Sequence, residues 1–235
     1  MEEQNRGLGK MVNTKKDVLF AANKLKSQLV YNMAKAEGNT HTVAEVTTIV
    51  EGFTVGGKKL REQQQVIQIA KAWEYLIQLV KSDQFTVNKH TSFDLNKLVA
   101  AADYAEVGCF RNRNVQITGT EYKPPMFTTI PCLWDELEQK IKSQKDPKEA
   151  AFNTFLEIAR NQYFNDGNKR TGQLMMNGIL LSHRLHVVTF PDKVIPEFFD
   201  KIINYYETGD MSQMKELLSQ RQTAMEQAFY REPIN

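Results

Sequence analysis

The stretch "NQYFNDGNKRTGQ", residues 161–173, places an acid, a glycine and two cations in a row: Asp166, Gly167, Asn168, Lys169 and Arg170. It lies between two apolar helical patterns, so it is read as a loop that opens a helix. The first amides of a helix have no internal partner, and the helix dipole makes that end positive. Gly167 lets a ligand come close to the backbone. Such a junction can cradle an anion, with Lys169 and Arg170 neutralising phosphate charge. Asp166 beside a polyphosphate suits Mg²⁺, which takes a carboxylate together with phosphate oxygens. A capped interhelical turn with solvated charges would use the same residues, and the stretch alone leaves both open.

The elements that must hold this junction are mostly helical. Asp146 reads as an N-cap, with Pro147 at the first position and Glu149 at the third. Phe152, Phe155, Leu156 and Ala159 then line one face of a helix running to about residue 163. "QLMMNGILLSHRL" is apolar on nearly every side, as expected of a helix buried in the centre of a fold. Val18, Ala22, Leu25 and Leu29 predict an N-terminal helix that stops near Gly38. Thr42 and Glu45 form a capping box for a short helix over 43–51, closed by Gly52. Val66, Ile69, Trp73, Leu76 and Val80 mark a longer helix; Leu95, Leu98 and Val99 mark another. Val115 and Ile117 alternate before Gly119, Pro124 and Pro125, which predicts a small β-hairpin. Leu133, Trp134, Leu137 and Ile141 return to helical spacing, and "VIPEFFDKIINYY" and "MSQMKELLSQ" supply the last helices. The expected fold class is all-α with one small hairpin.

A chain of 235 residues is long enough for one domain with an added helical segment. Its net charge of +2 gives no argument for nucleic acid or an anionic membrane surface. No apolar run reaches membrane-spanning length, and the N-terminus has no apolar signal region. Cys109 and Cys132 form no metal-ligand spacing and are read as reduced thiols of a cytoplasmic protein.

The junction resembles the Fic/Doc family signature H-x-F-x-[D/E]-G-N-[G/K]-R-x-x-R. Here that pattern reads Gln162, Phe164, Asp166, Gly167, Asn168, Lys169, Arg170 and Gln173, and six of the eight positions fit. The likeness extends over roughly residues 40–220, after an N-terminal helical extension (1–39) and before a tail (221–235). It implies the Fic fold, a helical bundle with a β-hairpin flap, and transfer of AMP from ATP to a protein hydroxyl. Asp166 would hold Mg²⁺, while Gly167, Asn168, Lys169, Arg170 and Gln173 would meet the nucleotide. Phe164 would anchor the loop. Val115, Gln116, Ile117, Thr118 and Gly119 would form the flap that aligns a protein target by strand addition. A homodimer is admitted, but the sequence fixes no oligomeric state.

Two positions depart from the pattern. Gln162 stands where the family has its general-base histidine, and an amide has no useful basicity near neutral pH. His183 and His186 fall at the far end of the following helix, His186 about 24 Å along its axis at 1.5 Å per residue. Gln173 replaces the second arginine, which in the family grips the γ-phosphate and pairs with an inhibitory glutamate of the motif [S/T]-x-x-x-E-[G/N]. Thr47, Glu51 and Gly52 match that motif on the short helix, so Glu51 is expected near the loop. The resemblance thus implies a weak or inactive AMP transferase. A Doc-like kinase or an AMP-removing enzyme using Glu51, and a non-catalytic interaction module, are the alternatives.

Overall fold

The computed structural model describes residues 13–102 and 105–231, with side chains as far as Phe229. Ten α-helices run through these residues: α1 (Lys15–Lys24), α2 (Lys26–Ala36), α3 (Val43–Val50), α4 (Leu60–Lys81), α5 (Lys89–Ala100), α6 (Ile130–Ser143), α7 (Pro147–Asn161), α8 (Asn168–Ser182), α9 (Ile195–Thr208) and α10 (Ser212–Arg231). The single N-terminal helix expected from the spacing is two helices, broken at Leu25. α10 carries on through residue 221 to Arg231.

An antiparallel hairpin of α7 and α8 is the centre of the molecule. Asp146 caps α7 by accepting from Lys148 N–H, with Pro147 in the first turn. From Thr171 to Leu181 every residue of α8 is buried. Close approach of the pair depends on Gly172, where a Cβ would lie 3.1 Å from Phe155. α5 packs on α4 and α8, α2 on α3 and α4, and α6 on α7. One apolar cluster links these helices from Val18 to Leu218. Its core includes Trp73, Trp134, Phe155 and Phe198. α3 carries the expected capping box between Thr42 and Glu45.

At Gly178 an added Cβ would lie 2.2 Å from the Phe85 ring. Helix propensity alone favours alanine there by about 1 kcal/mol. We expect the opposite sign. Gly178→Ala should destabilise the protein by about 1–2 kcal/mol, because overpacking a filled site displaces the ring. A denaturant midpoint equal to or above the parent's would contradict this.

The β-hairpin is not formed. Among the described residues there is no strand, and 114–126 carries no regular secondary structure apart from a turn at Thr118–Gly119. Val115 and Ile117 are half-buried while Gln116 and Thr118 are exposed. The alternation therefore reports one-sided burial rather than pairing. Pro124 and Pro125 lack two of the donors a returning strand would need. Asn114 Oδ1 instead accepts from Phe127 N–H at 3.1 Å.

Candidate functional site

The site begins where α7 ends. Gln162 is its C-cap in the left-handed region, φ 51°. Its side chain stays within the turn. Nε2 donates to Ala159 O at 2.6 Å, and Oε1 accepts from Asn168 Nδ2 at 2.9 Å. Asn168 also closes the loop on itself. Its Oδ1 accepts from Phe164 N–H and its Nδ2 donates to Phe164 O, both at 2.9 Å. Phe164 is 1% exposed and sits against Phe93 and Phe110, at centroid distances of 6.2 and 6.3 Å. The loop is thus pinned by a buried ring and cross-linked by one asparagine.

Gly167 is the N-cap of α8, with φ 75°, and no side chain caps the helix. A Cβ there would meet Ala100 at 3.0 Å and Asn96 at 3.2 Å. Only glycine combines that backbone with that contact. The first-turn amides of α8 therefore receive no side-chain acceptor from the N-cap.

Asp166 Oδ1 accepts from Gly167 N–H at 2.6 Å, and Oδ2 accepts from Arg170 Nη2 at 3.3 Å. Arg170 is 2% exposed and donates through Nη1 to Val99 O at 2.6 Å. Lys169 is half-buried, with Nζ 5.3 Å from the Phe199 ring centre. Both cations face one carboxylate. Glu37 Oε1 lies 3.6 Å from Lys169 Nζ, and Oε2 lies 3.8 Å from Arg170 Nε. Burial, with the Glu37 carboxylate adding to it, pushes the neighbouring Tyr206 phenol up.

Glu51 is not that acid. It is exposed at the end of α3, and among the described residues no hydrogen bond or ion pair joins it to the loop. α3 packs on α2 and α4, which leaves the C-cap of α2 to face the loop cations. Glu37 is followed by Gly38, as Glu51 is by Gly52, and Met33 stands where the motif asks for a hydroxyl. Relaxing that first position would have found it. Thr47 bonds its own helix, donating to Val43 O at 3.0 Å.

Two further residues were missed. Asn96 is buried, donates to Asp166 O at 2.9 Å and accepts from Gly108 N–H at 2.9 Å. Arg111 donates to Gln162 O at 2.6 Å. Neither lies in the signature, and a lone polar residue on an amphipathic helix gives no signal of its own.

Gln173 is buried on α8 just beyond Arg170. His183 is the C-cap of α8, at its far end. Among the described residues no cluster of three or more His, Cys, Asp or Glu could hold a metal ion. Asp166 is the one carboxylate on the loop itself, and its side chain is 38% exposed. That donor set fits Mg²⁺ only in the manner of phosphate-bound magnesium, with one protein carboxylate and the rest from phosphate and water.

The Fic/DOC family model matches residues 86–180. The chain is 25% identical over 187 residues to the protein adenylyltransferase Fic of Aedes aegypti, covering 77% of this chain and 37% of that protein. Protein adenylyltransferase fic-1 of Caenorhabditis briggsae is 25% identical over 72% of this chain and 34% of its own length. The chain therefore spans little more than a third of these relatives. Among solved structures, Fic-1 (residues 134–508) from C. elegans superposes with a TM-score of 0.77 at 20% identity, over 92% of this chain and 72% of that one. A Fic-domain signaling protein from Bacteroides thetaiotaomicron gives 0.75 at 18% identity, over 96% and 94%. The fold is shared with both.

Proposed function

Since residues 86–180 of this chain belong to the Fic/DOC family, we propose that the loop 164–170 binds the phosphates of ATP. We propose further that the protein is built to transfer AMP to a protein hydroxyl. One observation carries the reading: the uncapped start of α8 and the paired cations Lys169 and Arg170 surround a place where Glu37 now supplies the anion. A carboxylate there competes with a phosphate oxygen for the same donors. Glu37, rather than Glu51, is the restraining acid of this proposal.

The chain's own residues divide the work. The first-turn amides of α8, Lys169 and Arg170 take up negative charge, and Asn168 holds the loop in shape. Asp166 would hold Mg²⁺, which when bound supplies charge neutralisation on the phosphates. Gln162 can orient a hydroxyl but cannot accept its proton, so the wild-type rate is low. The protein target lies along 114–126, beside the exposed Met126 and Phe127. A cytoplasmic site of action belongs to the same proposal. Among the described residues no helix is long and apolar enough to cross a membrane.

Calorimetry with ATP·Mg tests the reading. In a Glu37→Gly background, Asp166→Ala should weaken binding by about tenfold, the value of one charged contact of about 1.4 kcal/mol. Equal heats in the two proteins, or none in either, would remove the proposal. The interaction-module reading would then lead, since it needs only the 114–126 segment.

A further inference from the structure

Residues 112–126 form no strand ladder. Something else must fix where this segment lies relative to the loop. Arg111 is 2% exposed and has no ion pair among the described residues. All three faces of its guanidinium go to carbonyl oxygens. Nε donates to Gln162 O at 2.6 Å, Nη1 donates to Arg113 O at 2.8 Å, and Nη2 donates to Pro125 O. Its backbone N–H donates to Tyr163 O at 2.9 Å. One side chain therefore joins the start of the segment, its end and Gln162, the C-cap of α7 that leads into the phosphate loop.

We propose that Arg111 is a positioning residue. Its planar fork replaces a strand ladder and sets the register between the segment where a protein target lies and position 162, where a proton acceptor would stand. The target-alignment role rests on the function proposed above; the clamp itself does not. A guanidinium can meet three carbonyls in one plane, because its five N–H groups are fixed in direction. An ammonium has three donors on a single point and cannot span them. Lysine at 111 keeps the charge and loses the register.

Hydrogen exchange read by mass spectrometry tests the clamp without any need for activity. Arg111→Lys is expected to speed amide exchange across 112–126 by about tenfold or more, leaving 168–182 and the Kd for ATP·Mg within about twofold of the parent. Asn114→Ala removes only the bond from Phe127 N–H, at an exposed position, and should speed the same segment by less than about twofold. Unchanged exchange at 112–126 in Arg111→Lys overturns the proposal. So does equal loosening by the two variants, or an equal rise across α8, which would make Arg111 a general stability element. In a Gln162→His, Glu37→Gly background, Arg111→Lys should also lower AMP self-labelling about tenfold. If the exchange pattern appears but no background labels at all, the clamp stands and the transfer function fails.

Discussion

Gln162→His combined with Glu37→Gly should turn a nearly silent protein into one that labels itself with AMP, raising the rate by about two to four powers of ten. That range is what a positioned general base contributes. Position 162 can accept the change. Its left-handed backbone is one that histidine adopts several times more readily than most residues. The site already offers the ring an acceptor, since Ala159 O takes the Gln162 Nε2–H at 2.6 Å. One imidazole nitrogen can donate its N–H there and leave the other, unprotonated, for a hydroxyl, provided that Asn168 Nδ2 does not occupy it. Near neutral pH much of such a histidine is unprotonated and able to accept a proton. Either single change should gain less. Histidine alone still faces the Glu37 carboxylate on Lys169 and Arg170, and glycine at 37 alone still lacks a base. Gln173 caps the gain, because it leaves the γ-phosphate with one cation fewer. Intact mass after incubation with isotopically labelled ATP reads the result. If neither the single nor the double variant gains label while both bind ATP, the site is not a dormant transferase.

Much of this site could be read from the sequence, because its parts are local. Asp146 and Pro147 start α7, and Gly167 opens α8 because the loop needs a residue at φ 75°. Phe164 follows from its apolar character in an otherwise polar stretch. What failed was non-local. The pattern of Val115 and Ile117 gave one half-buried side, but one-sided burial looks the same as pairing in a period of two. The carboxylate at the loop was sought where a hydroxyl-first motif pointed, yet which of two acid–glycine pairs meets the cations depends on how α2 and α3 pack. Asn96 and Arg111 act through backbone atoms more than fifty residues away in sequence (|i−j| of 70 and 51). No periodicity carries that information.

The choice between the two acids is itself measurable. Glu37→Gly should tighten ATP·Mg binding by about tenfold to a hundredfold, whereas Glu51→Gly should leave it within about twofold. The carboxylate of Glu37 lies within 4 Å of both loop cations, and its own side chain is 18% exposed. Arg170 is 2% exposed, so the field it shares with Glu37 is only partly screened. A γ-phosphate arriving at the start of α8 must displace that carboxylate and would be repelled by it. Charged hydrogen bonds released to the phosphate contribute about 1.5–3 kcal/mol, which sets the expected range. Glycine at 37 is compatible with the local chain, since the next residue, Gly38, already turns with φ 81° at the end of α2. Glu51 has no such competition to relieve. Calorimetry on the three proteins decides it. Tighter binding on Glu51→Gly with no change on Glu37→Gly would return the restraint to α3. No change in either would mean that the Glu37 carboxylate and the nucleotide occupy different places.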